Sequence, residues 1–158
     1  MSNIDYSNSR LRPRHSAFFY WSPAILWFVA ISFFSTDNFS GENTGSILWD
    51  IFHGIFPNLT QEQFQPIHFL IRKTAHFTEY GIFAMLLLRG FRSGAITRWR
   101  WSWAGSCVLI VAAYALLDEY HQTFTRMRSG SIYDSLIDIS GGVTALSLLW
   151  FVRRERGS

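Results

Sequence analysis

Apolar residues of this chain fall into four long runs that are separated by polar segments. The runs cover about residues 17–34, 67–88, 101–120 and 132–152. Each is close to the ~20 residues that a helix needs to cross a ~30 Å hydrocarbon layer. The runs are continuous rather than alternating, which favours helices over a β-barrel. The pattern therefore predicts an all-α membrane protein, a bundle of four transmembrane helices.

The composition agrees with a membrane protein of one domain. Only 16% of the 158 residues are charged, whereas soluble domains average about 25%. The ample apolar surface excludes a disordered chain, and the single cysteine, Cys107, excludes an intramolecular disulfide or a multi-cysteine zinc site. The predicted parts are a cytoplasmic N-terminal tail (1–16), the transmembrane domain (17–152) and a basic C-terminal tail (153–158).

The distribution of basic residues predicts how the helices cross the membrane. The 35–66 loop carries four acidic residues and no Lys or Arg, whereas ten of the fourteen basic residues flank the other ends of the runs. By the positive-inside rule both termini are cytoplasmic and this loop is extracytoplasmic. A nucleic-acid partner is not indicated, because the basic residues are divided among three flanks. They are Arg10, Arg12, Arg14, Arg89, Arg92, Arg98, Arg100, Arg153, Arg154 and Arg156.

Two features of the first half need their own interpretation. The first run follows three arginines, as a signal peptide does, but its apolar region is too long and no small-residue cleavage site follows it. In the outer loop, Ile47, Ile51 and Ile55 recur at every fourth residue, which indicates an amphipathic helix. We expect this helix to lie on the outer leaflet or to plug the bundle.

Ionisable residues within the predicted spans gather at one depth. With this topology they all lie in the outer halves of the second, third and fourth spans, and the inner halves are apolar. Each set repeats at three or four residues, which places it on one helix face, and charges that face lipid cost several kcal/mol. We therefore expect the sets to meet inside the bundle. They are Lys73, His76, Glu79 and Tyr80; Asp118 and Gln122; and Asp134 and Asp138, followed by Gly141, Gly142 and Ala145.

Three motifs in these segments resemble the signatures of the VanZ-like membrane proteins. Residues 73–80 are similar to K-x-x-H-F-x-E-Y, and residues 118–124 resemble D-E-x-x-Q-x-F. Residues 128–142 resemble the closing arginine, glycine and aspartate run, with Asp138 where many members have Asn. The resemblance implies a multi-pass protein of the bacterial inner (cytoplasmic) membrane with a role in the cell envelope. The name-giving member of the family is linked to low-level resistance to teicoplanin.

The polar cluster supplies candidates for catalysis and for substrate binding. The catalytic candidates are His76, Glu79, Asp118 and Glu119, because His titrates near neutral pH and carboxylates tune it. Arginine offers bidentate contacts to phosphate. The binding candidates are Lys73, Tyr80, Gln122, Arg126, Arg128, Asp134 and Asp138. The carboxylates also suit a divalent cation such as Mg²⁺, although the sequence defines no ligand set.

Three classes of function fit this cluster, and no known catalytic motif selects the reaction. In the first, the protein binds or processes a lipid-linked or phosphate-bearing envelope substrate, with membrane lipids, an envelope precursor or a glycopeptide as partners. In the second, the nearly neutral cluster is a structural ion-pair network of a scaffold. A small transporter is third, since the inner halves lack polar residues. The sequence leaves open whether the protein forms homo-oligomers. It also leaves open whether Arg72 only snorkels to the membrane surface and whether His121 is an ordinary loop residue.

Overall fold

The described part of the chain is entirely helical. The computed structural model describes residues 16–36, 41–93, 99–123 and 131–155, and for 41–43 only the backbone. Within these ranges there are five α-helices and no β-strand, as the predicted fold class requires. They are α1 (Ala17–Phe34), α2 (Gly41–Ile55), α3 (Gln61–Arg92), α4 (Trp101–Gln122) and α5 (Ile132–Glu155).

Three of the helices are long and apolar enough to cross a membrane. They are α1, α4 and α5, and their bounds agree with the predicted runs to within three residues. The helix α3 is less apolar, because its first half carries the polar residues of the cluster. The amphipathic helix predicted for the long loop is α2, where Ile47, Ile51 and Ile55 are exposed along one face.

The helix α3 begins six residues before the predicted run. Thr60 closes a capping box: its hydroxyl accepts a hydrogen bond from the Gln63 backbone N–H at 3.3 Å. The Gln63 side chain accepts one from the Thr60 N–H at 3.1 Å. These bonds satisfy the first amides of the helix, so that Pro66 lies inside α3 rather than at its border. Proline there removes one intrahelical hydrogen bond without ending the helix.

The central helix is α3, which contacts the other four helices and packs most extensively against α5. The two backbones touch, because a Cβ placed on Gly141 would lie 2.1 Å from the carbonyl oxygen of Phe77. One placed on Gly81 would lie 3.3 Å from the Gly141 oxygen. Small residues on this face of α5 thus allow the two helices to approach closely. This approach sets the distance between the polar side chains that α3 and α5 carry one turn away.

A proline and an arginine join α1 to the end of α3. Pro23 has no N–H, so the carbonyl of Phe19 has no helical donor four residues ahead. The Arg89 guanidinium donates to this carbonyl at 3.2 Å and to that of Tyr20 at 3.1 Å. At the middle of the helices, the indole N–H of Trp27 donates to the Glu79 carbonyl at 2.9 Å. These bonds fix α1 along the side of α3.

Candidate functional site

A salt bridge and a histidine–aspartate contact join the polar faces of α3 and α5. Lys73 forms a salt bridge with Asp134, and both side chains are about one-fifth exposed. One turn further, His76 Nδ1 lies 3.4 Å from Asp138 Oδ1, and the Asp138 side chain is completely buried. From the first contact to the second, the residue number increases on both helices, from Lys73 to His76 and from Asp134 to Asp138. The helices α3 and α5 therefore run parallel.

Tyr80 lies behind these pairs and is fully buried. Its ring centroid is 5.8 Å from that of Tyr114 on α4. The carboxyl groups of Asp118, Asp138 and Glu119 are close enough to its hydroxyl to interact electrostatically. Within the described ranges the hydroxyl makes no hydrogen bond. Tyr80 is therefore a buried neighbour of the cluster and not a residue of its surface.

Two polar side chains of α4 hold neighbouring elements in place. The buried Gln122 amide donates to Asp118 and to the Ser35 hydroxyl beyond the end of α1, both at 3.0 Å. Glu119 accepts the backbone N–H of Ser131, the residue before α5, at 2.7 Å. A carboxylate at a helix N-terminus also interacts favourably with the helix dipole. Both residues thus have a positioning role that their motif did not indicate.

Three of the four catalytic candidates line one cavity. His76, Glu79 and Asp118 border a space of about 240 Å³ together with Arg72. The remaining walls are mostly apolar side chains of α1, α2 and α3, with Ser35 and Thr44 as polar members. The fourth candidate, Glu119, does not line this cavity, because it is directed to the start of α5.

A larger cleft of about 920 Å³ adjoins the cavity where α2 meets the first turns of α3 and α5. Of the binding candidates it is lined by Lys73, Gln122 and Asp134, whereas Tyr80 and Asp138 line neither space. Arg126 and Arg128 lie outside the described residues.

Arg72 and His68 are the residues that the sequence analysis undervalued. Arg72 lines both the cavity and the cleft, and the buried His68 lines the cleft. The signal was the four-residue spacing from His68 through Arg72 to His76, which puts them on one face of α3. His121 is exposed and belongs to the last turn of α4 rather than to a loop.

The described side chains do not define a metal centre. Among them, no group of three or more His, Cys, Asp or Glu residues is arranged to hold a metal ion.

The family model described as VanZ/LLP1 matches residues 19–153. No curated protein and no solved structure shows a significant match to the chain. The matched range reaches into all five helices and includes the paired residues of α3 and α5. Together with the three apolar helices, it indicates a membrane protein. Because the match covers most of its length, the chain belongs to the VanZ/LLP1 family.

Proposed function

We propose that α3 is a fourth span, that both termini are cytoplasmic and that the polar site opens at the outer leaflet of the inner membrane. With 32 residues, α3 is about 48 Å long, and a hydrocarbon layer is ~30 Å thick. The whole helix therefore exceeds the thickness of the layer: its apolar second half, about 24 Å long, lies within the layer, and its polar first part continues to the outer surface. Arg89 and Arg92 in the last turn are on the side that the positive-inside rule assigns to the cytoplasm.

At this site the protein binds a phosphate-bearing, lipid-linked substrate of the cell envelope, and His76 transfers a proton during its conversion. The arrangement of His76 carries this proposal: Nδ1 faces the buried carboxylate of Asp138 at 3.4 Å, and the residue lines a cavity with Glu79 and Asp118. At 3.4 Å these two atoms do not form a hydrogen bond, but catalytic hydrogen bonds often tighten when substrate binds. A carboxylate that accepts a hydrogen bond from Nδ1 fixes the imidazole tautomer and orientation. The other ring nitrogen is then the one that exchanges a proton with the substrate.

Arg72 is suited to hold the phosphate. Its side chain lines the cavity beside His76 and also the adjoining cleft. A guanidinium binds phosphate oxygens through two parallel hydrogen bonds. Lys73 lines the cleft but not the cavity. Among the described residues, Arg72 is the guanidinium that lines both spaces, and it is therefore the cation that best fits the substrate.

The test uses a polyprenyl phosphate and a polyprenyl diphosphate in phosphatidylcholine vesicles that contain the purified protein. We expect both lipids to bind, and water to cleave the diphosphate with release of orthophosphate. His76→Gln should retain binding and melting temperature, because glutamine keeps a hydrogen-bonding amide, but should slow release by about 100-fold or more. Arg72→Gln should weaken binding about tenfold.

The matched control is His121→Gln, which changes an exposed histidine outside the site and should behave like the wild type. Absence of lipid binding, or full turnover by His76→Gln, would contradict the proposed function. The same variants, expressed in cells, show whether the site alters susceptibility to teicoplanin.

A second candidate function is that of a membrane scaffold in which the polar residues only fasten helices. Three contacts favour it: the Lys73–Asp134 salt bridge between α3 and α5, the Gln122 bond to Ser35, and the Glu119 bond to Ser131. A scaffold needs no titrating group, so in this case His76→Gln would leave every activity unchanged. None of the three contacts involves the His76–Asp138 pair, which is why we rank the scaffold second.

A further inference from the structure

The cleft beside α2 has a wall of aromatic rings. The Trp49 ring packs edge-on against Phe64, with centroids 5.4 Å apart, and His68 stacks on Phe64 at 5.6 Å. A Cβ placed on Gly45 would lie 3.0 Å from the His68 ring, so α2 closes tightly over this wall. Trp49, Phe64 and His68 all line the cleft. Such rings present a rigid surface to a ligand.

The polar lining of the cleft is rich in groups that both donate and accept hydrogen bonds. Gln61 and Gln65 are exposed on the first turns of α3, and Ser131 and Tyr133 lie at the start of α5. Amide and hydroxyl side chains combine donor and acceptor atoms. These side chains therefore match a ligand whose own groups also donate and accept hydrogen bonds.

The formal charge of the cleft is balanced. Among its described lining residues, Arg72 and Lys73 are opposed by Asp50 and Asp134, so two positive charges meet two negative charges. Equal numbers of positive and negative charges suit a ligand part that has no net charge of its own. This balance of formal charge, the aromatic walls and the side chains that both donate and accept hydrogen bonds match a polyhydroxyl ring. The volume of the cleft, about 920 Å³, is typical of small-molecule sites.

We propose that this cleft binds a saccharide, the sugar part of a lipid-linked substrate. The inference rests on the proposed function in one respect, because Arg72 joins the two spaces. A sugar in the cleft places a phosphate attached to it at Arg72 and next to the His76 cavity. The cleft would thus select the substrate, and the cavity would carry the chemistry.

The experiment measures sugar binding to the full chain by saturation-transfer NMR. The protein is purified in lauryldimethylamine oxide, because glucoside and maltoside detergents carry the ligand class under test. The probes are glucose, N-acetylglucosamine, maltose and N-acetylchitobiose, with inorganic phosphate as a separate arm. We expect at least one sugar to bind. Trp49→Leu and the surface change Gln65→Leu should each weaken it about tenfold, the effect of one lost contact of roughly 1.4 kcal/mol.

The control is Trp101→Leu, an exposed tryptophan at the start of α4 and outside the cleft, which should bind like the wild type. No binding of any sugar, or wild-type affinity for the sugar in both cleft variants, would overturn the proposal even if phosphate bound. Sugar binding without polyprenyl phosphate binding would support the cleft and contradict the proposed function. N-acetylglucosamine linked to polyprenyl phosphate should bind at least tenfold more tightly than the free sugar; equal affinity would rule out the lipid-linked source.

Discussion

At the scale of single residues, the Lys73–Asp134 salt bridge and the His76–Asp138 contact differ in their surroundings. The Lys73–Asp134 pair is partly open to solvent, whereas Asp138 is completely buried behind His76. A partly exposed pair contributes modestly to stability, but a buried carboxylate is costly unless another group compensates it. The Lys73–Asp134 salt bridge is therefore suited to hold the two helices together, whereas the second contact places a buried carboxylate beside the His76 ring.

This difference predicts the behaviour of the Lys73–Asp134 pair. Lys73→Met or Asp134→Asn alone should lower the free energy of unfolding by about 1–2 kcal/mol, between the values for exposed and buried pairs. The exchange Lys73→Asp with Asp134→Lys should recover most of the loss. Unfolding in detergent measures the effect, with exposed Glu155→Gln as control. An exchanged variant as unstable as the sum of Lys73→Asp and Asp134→Lys measured singly would show that the pair does not couple α3 to α5.

Residue spacing predicted part of the site and missed another part for a physical reason. Spacing of three and four residues places side chains on one helix face, and His76 and Glu79 do line one cavity. Spacing does not tell which neighbouring helix covers that face. Arg72 lines the cleft and the cavity because residues of α2 form other walls of both spaces, and this packing of helices is tertiary. The chemical roles assigned to these residues stay predictions.

At the scale of helices, the contact between α3 and α5 depends on the lack of a side chain at Gly141. In Gly141→Ala the new Cβ would lie 2.1 Å from the Phe77 oxygen, so the helices must separate. We expect a loss of about 1–3 kcal/mol or more in stability. Gly105→Ala on α4 is the control, since nothing lies within 4 Å of its Cβ, and it should be neutral or stabilise by about 0.5–1 kcal/mol. Equal melting temperatures for the two variants would contradict the close packing.

The bond from Arg89 to α1 yields a second prediction for helices. Arg89→Met removes the donor to the Phe19 carbonyl and should cost about 1–2 kcal/mol. Pro23→Ala restores a backbone N–H to the same carbonyl. The cost of Arg89→Met should therefore be smaller in the Pro23→Ala background, as a double-mutant cycle of unfolding measures. An identical cost in both backgrounds would show that Arg89 does not compensate for the proline.

Helix bounds were predictable from hydropathy only where a helix ends with its apolar run. The bounds of α1 agree with the run because polar residues follow at once. The start of α3 is set by hydrogen bonds between Thr60 and Gln63. Those residues are polar, so a pattern of apolar positions does not detect them, although the T-x-x-Q sequence is a capping-box signal.

At the scale of the whole molecule, the account depends on which side of the membrane the cleft faces. The parallel pairing of α3 and α5 requires both helices to run in the same direction, with α4 returning between them. If the positive-inside rule holds for this chain, the polar ends of both helices lie outside. A site at that surface meets envelope substrates and not cytoplasmic ones.

Labelling with a membrane-impermeant maleimide in intact spheroplasts tests this orientation most directly. The buried Cys107 is replaced by alanine, and a single cysteine is placed either at Gln65, which lines the cleft, or at Glu155 at the end of α5. The account predicts that Gln65→Cys reacts in intact spheroplasts and that Glu155→Cys reacts only after the membrane is opened. Reaction of Glu155→Cys alone in intact spheroplasts would place the cleft on the cytoplasmic side and contradict an outward-facing site.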